Sequence, residues 1–344
     1  MITGAFTALI TPFTGNDVDY DGLDRLIDFQ IQNRMSGILA AGTTGESPVL
    51  SWEEHNLVVE QVSKDTRGKC ICIAGAGSNN TKEAIEAAGH AVDAGVEAVL
   101  LVDPYYNGPS SLEIRREYLE PVAREFPDTE VIPYVIPGRT GTQILPEDLA
   151  LLNRSCKNVA TIKEATGNLD NMKKTRACCG EGVSILSGDD SLTASMMTDP
   201  DIKAAGIISV ASNIAPAAVA DIVRFFEGGK NEEGRKLAQA IAPLSNLVTI
   251  TTKEKTPFGI VTFRARNPLG IKTLMAILGM PSGPCRRPLG RLTENALDIV
   301  LEAGRSVFKN NPEILQPAAD FFNIDIEERL NTPAFSEGLC YESY

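Results

Sequence analysis

Imidazole is scarce in this chain: two histidines, His55 and His90, among 344 residues. A metal site built from several histidines has little material here. No run of about 18 apolar residues occurs, so no membrane span is expected. The opening Met1-Ile2-Thr3-Gly4-Ala5-Phe6 lacks a basic stretch leading into an apolar one, so no signal peptide is expected. The cysteines (Cys70, Cys72, Cys156, Cys178, Cys179, Cys285 and Cys340) are odd in number and form no C-x-x-C, which speaks against a disulfide framework or a zinc ribbon. Reduced thiols in the cytoplasm are the expectation. Positive charge is also in deficit: 32 Lys and Arg stand against 45 Asp and Glu, a net charge of −13. A chain this acidic repels phosphate backbones, and nucleic acid is not an expected partner.

What is present is that of a globular protein, with 43% hydrophobic and 22% charged residues. The length allows one large domain or two ordinary ones. Eight short β-branched apolar runs recur: Ala5–Pro12, Gly37–Ala41, Cys70–Ala74, Ala98–Val102, Val131–Ile136, Val159–Lys163, Val183–Ser187 and Gly206–Val210. Each is followed by a turn and a helical pattern. Leu23, Leu26, Ile27, Ile31 and Met35 form one apolar stripe, and Ala84, Ile85, Ala88, Ala91 and Val92 form another. Ser51-Trp52-Glu53-Glu54 and Ser110-Ser111-Leu112-Glu113 read as capping boxes. Runs buried on both faces suit parallel strands joined by right-handed crossovers. Eight such units predict an α/β fold, a (β/α)8 TIM barrel over residues 1–228; a doubly wound open sheet is the alternative. Beyond it, helices are predicted over Asn231–Thr251 (interrupted at Pro243), Pro268–Met280 and Leu289–Phe308. Residues 229–310 thus read as a C-terminal helical domain and 311–344 as an extension.

Barrel sites form at the C-terminal ends of the strands. Lys163 ends an otherwise apolar strand. If it points into the barrel mouth, burial lowers its pKa, and a neutral amine there can attack a ketone to form a Schiff base. Taken alone, a strand-end lysine more often just reaches solvent. Tyr134 closes another strand and could shuttle protons beside that amine, or simply fill the barrel; Tyr106 could extend the relay. Arg139 offers a planar fork for a carboxylate, or a surface ion pair. Gly42-Thr43-Thr44-Gly45 offers backbone N–H groups and two hydroxyls for a small carboxylate, or is an ordinary turn. The weight comes from all of these falling at one rim.

At these residues the chain resembles the dihydrodipicolinate synthase / N-acetylneuraminate lyase family of class I, pyruvate-dependent aldolases. The likeness runs from the start to about residue 285. It is carried by Gly42-Thr43-Thr44-Gly45-Glu46-Ser47, Pro104-Tyr105-Tyr106-Asn107, Pro137-Gly138-Arg139-Thr140-Gly141, Ile162-Lys163-Glu164-Ala165-Thr166-Gly167 and Ser187-Gly188-Asp189-Asp190, and more weakly by Thr7-Ala8-Leu9-Ile10-Thr11-Pro12. The resemblance implies a (β/α)8 barrel with C-terminal helices, assembled as a homotetramer, a dimer of dimers. It implies that Lys163 captures pyruvate, that Tyr134 and Thr43 move the protons of imine formation, and that Tyr106 reaches across a dimer interface into a neighbour's site. It further implies that Thr44, Gly188 and the backbone at Ile208 hold pyruvate, and that Arg139 holds the acceptor's carboxylate. Thr43-Thr44 and Arg139 favour the synthase branch, in which pyruvate condenses with L-aspartate 4-semialdehyde to give 4-hydroxy-tetrahydrodipicolinate, a precursor of diaminopimelate and lysine. The alternatives are a sister aldolase acting on a sugar acid and a non-catalytic small-acid binder. No metal or organic cofactor is implied, because the amine itself activates the ketone. Ser47, Trp52, His55, Asn79, Glu83 and Tyr105 match positions that bind inhibitory lysine in lysine-sensitive members. Two features depart from the family: Val135 stands where Asn is common, and the segment beyond about residue 300 is long.

Overall fold

A computed structural model describes all 344 residues. Eight parallel strands close on themselves: β1 (Gly4–Ala8), β2 (Gly37–Ala40), β3 (Ile71–Gly75), β4 (Ala98–Val102), β5 (Glu130–Val135), β6 (Thr161–Glu164), β7 (Ser184–Ser187) and β8 (Gly206–Ser209). Each pairs with the next, and β1 closes against β8 with Gly4 opposite Gly206. This is the predicted (β/α)8 barrel. No helix is long and apolar enough to cross a membrane.

Strand alternation divides the burial between two layers. Phe6, Leu39, Ile73, Leu100, Ile132, Tyr134, Leu186 and Ile208 point inward and fill the barrel. Their neighbours, Ile38, Cys72, Val99, Val131 and Val135 among them, point outward under the helices. Val135 therefore packs in the outer layer rather than at the mouth. Both expected capping boxes form: Ser51 Oγ accepts from Glu54 N at 3.2 Å while Glu54 returns the bond to Ser51 N at 2.9 Å, and Ser110 and Glu113 do the same. They start the helices at Trp52 and Ser111.

The region after the barrel departs from the sequence reading. Asn231–Thr251 is not one helix. A helix runs over Asn231–Ala240, Pro243 sits in the first turn of a short helix over Ala242–Ser245, and Thr249 already begins a strand. Strands β9 (Thr249–Thr256) and β10 (Gly259–Arg266) make an antiparallel hairpin in full register from Thr249–Arg266 to Thr256–Gly259. Helices Leu269–Leu278 and Glu294–Asn310 follow. The last of these starts five residues later than expected because Thr293 supplies the N-cap, accepting from Ala296 N at 3.3 Å.

The extension folds back onto its own chain. Phe321 and Phe322 lie 5.3 and 5.1 Å, ring to ring, from Phe29 of the first barrel helix, Tyr20–Gln32. Arg329 donates to the carbonyls of Ile277 (2.6 Å) and Ala276 (3.0 Å) in the last turn of helix Leu269–Leu278.

Candidate active site

Lys163 and Tyr134 stand opposite one another on adjacent strands, β6 and β5. Both point into the barrel. Lys163 is 4% exposed, and its Nζ lies 4.1 Å from the centre of the Tyr134 ring. It makes no ion pair. Burial pushes its pKa down to about 7; the Asp190 charge pulls it back up, and the Arg139 charge adds to the fall. Near neutral pH a large share of the amine is therefore unprotonated and nucleophilic. Gly188 makes room for it: a Cβ there would lie 3.2 Å from Lys163 Cε and 2.9 Å from Ala165 Cβ.

Burial also raises the Tyr134 hydroxyl to about 12, opposed by the Arg139 charge and by the nearby Thr43 hydroxyl. A neutral phenol with a second hydroxyl in the same cavity wall offers a path along which a proton can move. Thr43 and Thr44 ride on a turn flanked by Ala41 (φ 47°) and Glu46 (φ 57°), both in the left-handed region that non-glycine residues seldom occupy. That strain is held by anchors. Glu46 accepts from Lys272 Nζ at 2.7 Å and from Arg286 N at 2.9 Å, and Thr11 Oγ1 donates to Gly45 O at 2.7 Å.

Thr44 Oγ1 accepts from Asn267 Nδ2 at 2.9 Å, and Arg139 Nη2 reaches the Asn267 carbonyl at 3.4 Å. Asn267 thus ties the turn after β2 to the turn after β5. Arg139 is half-buried and has no acidic partner. Ile208, on β8, is buried inside the barrel.

A cavity of about 400 Å³ opens on this arrangement, with Thr43, Tyr134 and Arg139 in its wall. Lys163 does not line the cavity and meets its wall through the Tyr134 ring. The same cavity is lined by Ser47, Trp52, His55, Glu83 and Tyr105. His55 Nε2 contacts the Gly75 carbonyl at 2.8 Å, burial lowers its pKa, and its Nδ1 is buried without a partner. Glu83 accepts from Ser78 Oγ at 2.6 Å, and Asn79 Oδ1 accepts from Tyr105 N at 2.7 Å. Tyr106 stands apart from the rest: it is 86% exposed, and nothing in this chain brings it to Tyr134.

Two residues at the site were not singled out from sequence. Asp190 is the acid whose charge acts on Lys163. It is held by the Ser209 hydroxyl and by the N–H groups of Val210 (2.9 Å) and Ala211 (3.4 Å). Its signal was the second aspartate of the Asp189-Asp190 pair in the turn after β7. Asn267 had no local signal, since its partner Thr44 lies 223 residues away.

The barrel, the buried strand-end lysine and the paired turns coincide with a known family. The model of the dihydrodipicolinate synthetase family matches residues 1–303. The chain belongs to this family. It is 40% identical over 296 residues to the 4-hydroxy-tetrahydrodipicolinate synthase of Syntrophus aciditrophicus strain SB, a match that covers 86% of this chain and 95% of that relative. Among solved structures of the family, the 4-hydroxy-tetrahydrodipicolinate synthase of Methylacidiphilum fumariolicum SolV superposes with a TM-score of 0.83 at 34% identity, covering 92% of this chain and 99% of that one. The DHDPS of Cyanidioschyzon merolae, solved with lysine bound, gives a TM-score of 0.80 at 33% identity over 89% of this chain and 98% of that one. The family match stops before helices Gln316–Phe322 and Ile326–Asn331, which belong to this chain's own extension.

Proposed function

We propose that this chain condenses pyruvate with L-aspartate 4-semialdehyde to give 4-hydroxy-tetrahydrodipicolinate, in the biosynthesis of diaminopimelate and lysine. The observation that carries the chemistry is the buried, unpaired Lys163 beside Tyr134. The Lys163 amine adds to the pyruvate ketone. Tyr134, relayed by Thr43, returns the proton that lets water leave, and an imine forms. Loss of a methyl proton gives the enamine, whose carbon attacks the aldehyde. The acceptor's own amine then adds to the imine carbon and expels Lys163, closing the ring; one water is lost over the whole sequence. Thr44, Gly188 and Ile208 serve pyruvate, and Arg139 takes the acceptor's carboxylate.

Tyr106 completes the relay only from a second copy of the chain, which its exposure here suits, and a dimer of dimers is the assembly this reading takes. The cavity wall formed by Ser47, Trp52, His55, Glu83 and Tyr105, with Asn79 behind Tyr105, serves as the place where lysine binds and inhibits. All seven cysteines are free thiols, which suits a reducing, cytoplasmic setting.

The test is turnover of purified protein with pyruvate and a panel of aldehydes. One-to-one consumption of pyruvate and aspartate semialdehyde, with little turnover of sugar aldehydes, is the expected result. A preference for a sugar aldehyde would move the chain to the sister activity.

A further inference from the structure

The hairpin β9–β10 carries an unbalanced charge. Its outward face comprises four cross-strand rows, Thr249–Arg266, Thr251–Arg264, Lys253–Thr262 and Lys255–Ile260. The face holds four cations and no acid, in a chain whose net charge is −13. None of Lys253, Lys255, Arg264 and Arg266 takes part in an ion pair. The one glutamate of the hairpin, Glu254, points the other way and is occupied by Thr252, Thr293 and Asn295.

This face ends at the site. Arg266 adjoins Asn267, whose side chain holds Thr44 and whose carbonyl receives Arg139. Arg266 is half-buried, and its charge lies close enough to Arg139 to act on it. Two guanidiniums without acids thus lie near one another beside Asn267, Arg139 in the cavity wall and Arg266 behind it at the end of the hairpin. Like charges gathered this way are unfavourable unless an anion joins them.

We propose that Arg266 is a specificity-determining residue that, together with Arg139, selects acceptor aldehydes bearing a carboxylate, with the cationic hairpin face as their approach. The proposal rests on the condensation reading above. Pyruvate, held deeper by the Thr43-Thr44 turn, does not depend on Arg266. The remaining cations extend the local positive field along the hairpin, against the negative field of the whole molecule.

The test compares wild type with Arg266→Gln and Arg266→Lys. In Arg266→Gln the KM for aspartate semialdehyde is expected to rise about tenfold, the effect of about one charge-assisted contact. The kcat, the KM for pyruvate and turnover of a neutral aldehyde such as propanal are expected to hold, and Arg266→Lys is expected to recover most of the loss. The dependence of kcat/KM on salt should also flatten in Arg266→Gln, a change that a merely structural role would not produce. An unchanged KM for the semialdehyde, or an equal rise in the KM for pyruvate, would overturn the proposal. A wild type that traps no pyruvate on reduction would remove the condensation reading itself, whereas one that traps it and shows no Arg266 effect removes only this inference.

Discussion

Two lysines are buried in this molecule, Lys163 at 4% exposure and Lys272 at 1%, and their surroundings differ completely. Lys272, on helix Leu269–Leu278, meets Glu46 at 2.7 Å, the Thr11 carbonyl at 3.0 Å and the face of Phe13 at 4.3 Å. Lys163 has only the Tyr134 ring at 4.1 Å and the more distant charges of Asp190 and Arg139. The first arrangement uses a cation as a fastener. It ties the C-terminal helix to the strained Glu46 corner of the turn that carries Thr43 and Thr44. The second leaves an amine without a partner, and burial drives it toward neutrality. An apolar barrel interior thus leaves one lysine unpaired and open to chemistry, while a full set of partners at the other holds the turn that carries Thr43 and Thr44.

The largest expected effect comes from breaking the fastener. Lys272→Met leaves Glu46 buried without its counter-charge and should cost about 3–5 kcal/mol of stability. Adding Glu46→Gln should restore part of that loss, because the orphaned charge is then gone. Denaturant unfolding of the single and double variants measures both changes. A double variant no more stable than Lys272→Met would contradict the assignment of the loss to an unpaired Glu46.

A smaller effect sharpens the other half of the comparison. The Asp190 charge raises the Lys163 pKa against the pull of burial, so Asp190→Asn should lower it further. The neutral amine then persists to lower pH, and the half-maximal point of pyruvate imine formation should move down from near 7. The pH profile of reductive trapping reads this directly, and a shift upward would contradict it. The same depression bears on stability. Between about 7 and 10.5 the unfolded chain holds a proton on Lys163 that the folded chain does not, so this group's contribution rises with pH across that window.

Much of the barrel was legible because two-sided burial makes its strands continuous apolar runs; Ala98–Val102 is matched at both ends. The hairpin was not legible. Its buried positions on β9 are Ile250, Thr252 and Glu254, so the alternation is polar on both faces. It also follows directly on the helical stripe of Leu237, Ile241, Leu244 and Leu247, which drew the expected helix onward. The core of the candidate site, Lys163, Tyr134, Thr43 and Arg139, was readable because each lies at, or in the turn just after, the C-terminal end of a strand. Asn267 was not, because its meaning comes from contacts with turns more than a hundred residues away. Tyr106 was readable as a possible extension of the relay, its reach across an interface only by resemblance, and a single chain leaves it in solvent.

On the proposed reading the unpartnered lysine, and not the paired one, is the nucleophile. The measurement that tests it most directly is the intact mass of the protein after borohydride reduction with pyruvate, made on wild type, Lys163→Ala and a Lys272→Met sample confirmed as folded. One reduced pyruvyl group is expected on wild type and on Lys272→Met, and none on Lys163→Ala. An adduct that persists in Lys163→Ala, or a wild type that gains no mass, would contradict it.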